Sequence, residues 1–439
     1  MTAKAIGDAG KRSWLSVLKG PVIAYFVSLV IFGALMGDRL SSHSRDNHYV
    51  YLADGLLHGR LTLEGKPPHS NDWARYEGKW FVSFPPLPAV LMMPGVAIRG
   101  LELNDRLFTL FFAAAGPALL LALLQLLAAR GRLGRKPWEL GLLAALYGVG
   151  TVYFFCAVQG SVWYTAHMVG SVMLLGFLIA SVDARHPLLA GLFLGLAFAC
   201  RPPMILALPF FVHEALRQGA DDSAQGLGRW IIAALRGLGA KRSLRLAILF
   251  GLPLAIVVGL LLAMNAGRFG DPIDFGHNYL VVRQTARIEK WGLFHTHYLA
   301  HNLGVALTSL PWISSEAPFV KVSLHGLALW FTTPALLWIL WPRTATREYL
   351  WLAATAALVA LPSLLYQNSG WVQFGYRFSL DFAPLLLLLL ALGGRRFGRL
   401  FVAAVVFGVA VNLFGALTFD REWKHYAGGK DRDAIYQPN

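Results

Sequence analysis

Eleven long apolar runs constrain this chain more than any other feature. They cover residues 20–37, 106–129, 138–157, 163–182, 187–201, 202–216, 246–265, 321–341, 349–366, 377–394 and 398–418. A helix crosses a bilayer with roughly 20 mostly apolar residues, because lipid offers its backbone groups no hydrogen-bond partner. The expected fold is therefore an all-α polytopic membrane protein with about 11 transmembrane helices. The fifth and sixth runs are short and meet at Arg201-Pro202-Pro203, where proline removes backbone donors, so a break or tilt is expected there. The first run is followed by no small-residue cleavage site and reads as a signal-anchor helix.

Composition agrees. Charged residues make up 14% of the chain, against about 25% in soluble domains, and mean hydropathy is +0.52. The net charge of +15 does not indicate a nucleic-acid partner, because its cations cluster in short loops between apolar runs. That pattern orients a membrane protein and favours contact with anionic membrane lipids. Cys156 and Cys200 both lie in apolar runs, which suits packing rather than a disulfide framework.

Charge also sets the expected topology. Residues 85–101 are apolar but short and crowded by prolines. If they crossed, the basic loop 130–136 would face outward, so a surface or re-entrant segment is expected instead. The N-terminus is then cytoplasmic, with 217–245 a basic cytoplasmic segment resembling an interfacial amphipathic helix. Residues 38–105, 266–320 and a short tail, 419–439, face the extracytoplasmic side. No internal repeat is visible, so residues 1–418 read as a single membrane domain in a plasma membrane of the bacterial inner-membrane kind.

The chemistry is expected in the outward segments. Asp46 follows the first span, with His48 and Tyr49 beside it; its carboxylate suits a general base or a divalent-cation ligand, or simply caps the next helix. Tyr49, Leu52, Leu56 and Leu57 share one face of that helix, which is expected to lie on the bilayer surface. Asp72, Arg75, Glu77 and Lys79 surround Trp73 and Trp80, either as a phosphate and sugar site or as a polar hairpin anchored by aromatics. Arg201 ends an apolar run, where a charge is costly and therefore points to function or to snorkelling. His167, near a helix end, is a weaker candidate. His277 and Arg283 belong to a polar stretch of the second outward segment, and His295-x-His297 there is a weak metal signal. Tyr376 and Arg377 stand at a span entry, where arginine suits an anionic headgroup. No GxxxxGK[ST], HExxH or GxSxG motif is present.

Four stretches carry a resemblance: RDNHYVYLADGLLHGRL, GKWFVSFPPLPAVLMMP, NAGRFGDPIDFGHNYL with the later TTPALL, and GWVQFGYRFSLDFAPLL. In order and membrane placement they resemble the GT-C superfamily of multi-spanning glycosyltransferases, in the branch of protein O-mannosyltransferases and aminoarabinose transferases. The resemblance implies a GT-C-like fold whose large first extracytoplasmic loop carries juxtamembrane helices. It also implies a polyprenyl-phosphate-linked sugar donor and an extracytoplasmic glycan, lipid or protein acceptor. The enzyme would be a hexosyl- or pentosyltransferase. Asp46 matches the family's first-loop acidic residue, the base or its metal partner, and Arg377 falls where a cation meets the lipid phosphate. Substrate binding is expected from His48, Tyr49, Asp72, Arg75, Lys79, Arg201, His277, Arg283, Tyr376 and Arg377. A divalent cation is left open, with Asp46 its one candidate ligand. Phe84 stands where many relatives have a lysine before paired prolines, and Asn47 replaces the second acid of an Asp-Glu pair. The alternatives are a transporter or flippase of a lipid-linked or anionic substrate, or an O-antigen ligase or polymerase; the missing repeat and the early large loop disfavour them.

Overall fold

The computed structural model describes residues 14–220, 226–282 and 284–426. Arg283, an expected substrate residue, lies outside the described residues. Six helices among them are long and apolar enough to cross a membrane: Leu18–Ser41, Asp105–Ala129, Ser161–Ala184, Ala240–Phe269, Arg347–Leu365 and Arg399–Thr418. The other five apolar runs are shorter or broken. Pro187–Phe198 and Ala383–Leu392 are short apolar helices. Residues 138–157 split into Pro137–Val149 and Tyr153–Ala157, with the Thr151 hydroxyl donating to the Tyr147 carbonyl at the break. Residues 321–341 and 202–216 begin with 3₁₀ turns or open chain, and Pro334, Pro202 and Pro203 supply no backbone donor there. Such irregular backbone is tolerated at membrane depth when protein surrounds it.

Small residues let the helices approach closely. Gly191 and Gly195, four apart, face Ala240–Phe269, and a Cβ on Gly191 would lie 1.9 Å from the Phe250 carbonyl oxygen. This is the close backbone contact on which helix association in lipid depends, since burial of apolar surface gives no drive there.

The segment 38–105 leaves and re-enters at one end of the bundle. Asn104 Nδ2 donates to the Leu40 carbonyl at 2.8 Å, and Ser44 gives both its N–H and its hydroxyl to Asp105, at 2.7 and 2.5 Å. Ser161 N–H joins the same carboxylate at 3.0 Å. Residues 38–105 therefore begin and end together, and its two helices, His48–Leu57 and Leu87–Arg99, are too short to cross. Within residues 85–101, Leu87–Arg99 is not among the helices long and apolar enough to cross a membrane.

The face of His48–Leu57 expected to meet the bilayer packs within the protein instead. Tyr49, Val50, Leu52 and Ala53 pack with Ala89, Met92 and Val96 of Leu87–Arg99, and of the expected face only Leu57 is exposed. Between these helices a hairpin pairs Ala74–Tyr76 with Lys79–Phe81, with Arg75 opposite Trp80. The segment 266–320 docks on it through a 2.9 Å bond from Val281 N–H to the Trp73 carbonyl. The start of the last segment joins the same end: Arg39 pairs with Asp420 at 3.3 Å and donates to Gln159 at 2.6 Å.

At the opposite end, Arg130 meets Asp183 at 3.1 Å and Arg132 donates to both oxygens of buried Glu214 at 2.8 and 2.6 Å. The basic segment there forms the helix Leu227–Leu238. It buries Trp230, Ala234 and Leu238 at four-residue spacing and exposes Arg229 and Arg236, as its amphipathic pattern requires.

Candidate active site

Two cavities meet at the Asp46 end. The outer one, about 650 Å³, has polar walls that include Asp46, Asn71, Asp72, Gln159, Arg377 and Asp420. The second, about 440 Å³, lies toward the bundle and is bounded by Phe84, Pro85, Pro86, Pro202, Leu261 and Leu262, with Arg201, Arg268 and Arg377 among its polar groups. Asp72, Trp163, Gln284, Asn368, Trp371 and Arg377 border both, so the two cavities adjoin along these side chains. Leu261 and Leu262 belong to Ala240–Phe269, whose outward side chains are largely exposed. The inner cavity thus abuts a lipid-facing helix.

Asp46 enters the outer cavity because the helix after it starts at His48 with Asn47 as its cap, and no side-chain cap bond forms. Its backbone carbonyl accepts from Val162 N–H at 2.9 Å, which ties the loop to Ser161–Ser181. Its carboxylate accepts from Asn71 Nδ2 at 3.3 Å, with His69 Nε2 at 3.5 Å. Burial pushes the Asp46 carboxyl above its ordinary range, against the pull of Asn71, His69 and Arg45.

Asp72 reaches the junction through a left-handed backbone, φ +57°, which turns its side chain inward while Trp73 is buried against the His48 ring at 3.9 Å. Asparagine and aspartate tolerate this conformation better than most residues. Trp163 Nε1–H donates to Asp72 Oδ2 at 2.8 Å. Burial raises the Asp72 pKa to about 6, while the Trp163 bond and the Arg377 charge oppose the rise. At neutral pH it is a carboxylate at the seam between the cavities.

The three arginines differ. Arg201 is held by Asp381 in a two-point pair, Nε to Oδ1 at 2.9 Å and Nη2 to Oδ2 at 2.8 Å, and His167 Nδ1 lies 3.2 Å from the same carboxylate. Arg268 donates to the Val82 carbonyl at 2.7 Å and to Asn265 Oδ1 at 2.6 Å. Arg377 donates through Nη1 to the carbonyls of Gly370 and, at 2.9 Å, Val372, and its guanidinium sits 5.7 Å from the Tyr164 ring centre. Among the described residues no carboxylate forms an ion pair with Arg268 or Arg377. Both are buried, 5% exposed each. Unpaired buried cations bordering a cavity are costly unless an anion enters it.

Other expected residues are spent elsewhere. His48 and Tyr49 are buried in the packing of the first outward segment and border neither cavity; burial lowers the His48 pKa to about 4, leaving it neutral. Tyr376 is buried with its hydroxyl 3.0 Å from Ser363 Oγ and also borders neither. Arg75 and Lys79 are exposed on the hairpin, Arg75 over the Trp80 ring at 5.7 Å, and take no part in either wall. His277 does border the inner cavity, edge-on to Phe84 at 5.8 Å; burial lowers its pKa to about 4. Arg268 and Asp381 were not anticipated as site residues. The signal for Asp381 was a carboxylate inside the apolar run 377–394, at a distance in sequence from the arginine it neutralises.

For a divalent cation, Asp46, Asp72 and Asp420 are spread round the outer wall, and among the described residues no three His, Cys, Asp or Glu side chains converge as a metal cluster.

No protein-family model and no curated protein matches the chain. Solved structures similar to it include the Archaeoglobus fulgidus oligosaccharyltransferase in the apo form, 15% identical with a TM-score of 0.40, over 97% of this chain and 58% of that one. Another is the oligosaccharyltransferase AglB from Archaeoglobus fulgidus in complex with an inhibitory peptide and a dolichol-phosphate, 14% identical at TM-score 0.41, over 94% and 57%. A third is ArnT from Cupriavidus metallidurans bound to undecaprenyl phosphate, 15% identical at TM-score 0.43, over 92% and 64%. The chain therefore spans less than two thirds of the length of each structure it matches.

Proposed function

We propose that the protein is a membrane glycosyltransferase that moves a sugar from a polyprenyl-phosphate donor to a hydroxyl of an extracytoplasmic glycan, lipid or protein. The observation that carries this reading is the pair of joined cavities: one beside a lipid-facing helix and bordered by unpaired arginines, the other polar and holding Asp46. A lipid phosphate needs apolar walls for its chain and fixed cations for its head. An acceptor hydroxyl needs a carboxylate on the polar side.

In the proposed reaction the acceptor hydroxyl gives its proton to Asp46 and its oxygen bonds to the anomeric carbon. The bond from that carbon to the phosphate oxygen breaks, and polyprenyl phosphate leaves with the electron pair. Arg377 and Arg268 meet the charge that develops on the phosphate, and Asp381 holds Arg201 to present its remaining N–H groups beside them. Asp72, at the seam, is suited to accept hydrogen bonds from the sugar hydroxyls. The active site faces the extracytoplasmic side of a bacterial inner membrane, with the N-terminus in the cytoplasm.

The test uses purified protein in nanodiscs with radiolabelled polyprenyl-phosphate sugars, hexose and pentose, and compares wild type with Asp46→Asn. Turnover is expected to fall by about 10²–10⁴-fold with donor binding retained. If Asp72→Asn rather than Asp46→Asn has this effect, the roles of the two carboxylates exchange. A folded wild type that binds donor and carries it across the bilayer without releasing sugar would replace the reading with a flippase.

A further inference from the structure

We propose that the end of the molecule opposite Asp46 carries a binding site for the phosphate headgroup of an anionic membrane lipid. A cavity of about 720 Å³ opens there, bordered by Arg130, Arg185, Arg242 and Arg245, with Asp183 as the one acidic group among the described residues of its wall. Asp183 is already engaged twice, by Arg130 at 3.1 Å and by Arg217 at 2.9 Å. Among the described residues Arg185, Arg242 and Arg245 have no ion-pair partner, so the cavity holds a surplus of positive charge.

The apolar part of the wall fits a lipid better than a free anion. Ala184, Pro187, Leu246 and Leu249 line the cavity below the arginines. On the neighbouring face of the same helix Leu244, Ile248, Leu252, Ile256 and Leu260 recur every fourth residue and are 54–66% exposed. Those side chains lie along the length of Ala240–Phe269, apolar surface for acyl chains on the helix that carries Arg242 and Arg245. The helix Leu227–Leu238, amphipathic and immediately before it in the chain, fixes this end at a headgroup level. The site lies at the other end from the two joined cavities and does not depend on the transfer reaction.

The experiment compares thermal unfolding of the full chain in phosphatidylcholine nanodiscs with rising fractions of phosphatidylglycerol. Wild type is expected to gain stability with saturation. In Arg242→Gln/Arg245→Gln the half-saturating fraction should rise by about tenfold or more, since each surface arginine adds roughly 1 kcal/mol toward an anionic lipid. Arg396→Gln/Arg399→Gln, which removes two exposed arginines near the same end, should change it by less than about twofold. An equal response of the two double variants would overturn the site in favour of diffuse attraction. So would the full wild-type shift with inorganic phosphate in phosphatidylcholine alone, which would assign the cavity to a soluble anion. Unfolding midpoints in pure phosphatidylcholine show whether either variant is misfolded; if the first is, Arg185→Gln takes its place with the same expected direction.

Discussion

Two groups of buried charge sit at opposite ends of this bundle and differ in one respect. Around Arg132 every charge is met: Glu214 takes two of its N–H groups, Glu348 another, and the Asp183 N–H closes on Glu214 at 2.8 Å. Around Arg201, Arg268 and Arg377 a single close carboxylate, Asp381, serves one arginine, and the other two point at cavity walls with backbone and amide partners only. The first arrangement is complete in itself and locks the ends of several helices. The second is incomplete without an anion. Burial alone therefore does not mark a functional arginine here; the absence of a matching carboxylate does.

Removing one charge from each group tests that difference most strongly. Arg377→Gln should weaken donor binding by about 100-fold, the loss of a buried charge-assisted contact to phosphate, while leaving the unfolding midpoint unchanged or higher. Glu214→Ala should do the reverse. It strands Arg132 with only its half-buried partner Glu348, at a cost of about 3 kcal/mol in stability, and donor affinity of the folded fraction should stay as in wild type. Binding by isothermal titration and unfolding by scanning fluorimetry separate the two. If Arg377→Gln destabilises the protein and spares binding, the contrast between the two ends fails.

The asymmetry was partly legible in the chain. Asp46, Arg201 and Arg377 announce themselves as ionisable groups at the ends of apolar runs, where charge is expensive. Loop charges argue for residues 38–105 as one segment, and the Ser44–Asp105 bonds bring its two ends together. What stayed hidden depended on pairing across long separations. Nothing local links Arg201 to a carboxylate 180 positions later, and a neutralised arginine looks the same in sequence as an unneutralised one. Proximity in sequence also misled: His48 and Tyr49 lie two and three positions after Asp46, yet the helical turn carries both into the packing with Leu87–Arg99.

A smaller effect comes from pH at the seam. Asp72 is expected to work as a carboxylate, and burial raises its pKa to about 6. Its protonated form gains population as pH falls through that value, so kcat/KM should drop below about pH 6, approaching tenfold per unit, and level off above it. Asp72→Asn, slow at all pH values, should lack this limb. Stability moves the opposite way: a carboxyl with a raised folded pKa penalises the folded state above about pH 6, and the penalty fades as pH falls toward the unfolded value. A profile with no limb near 6 in wild type would separate Asp72 from the reaction.

The smallest effect expected is also the most direct check on reading sites from sequence clusters. Arg75 and Lys79 stand within seven positions of Asp72 and form with it the densest charged group in the first outward segment. The hairpin divides them. Asp72 turns inward through its left-handed backbone, whereas Arg75 projects outward opposite Trp80 and Lys79 is exposed beside the turn. An exposed cation at the edge of a Trp ring contributes about 0.5–1 kcal/mol at most, and screening by salt lowers any long-range pull on a phosphate. The double substitution Arg75→Ala/Lys79→Ala should therefore change donor KM by less than about fivefold at physiological salt, the ceiling of that range of energies. A tenfold rise in KM would mean that the hairpin folds over the donor during turnover, and the line drawn here between unpaired buried arginines and exposed ones would have to be redrawn to include it.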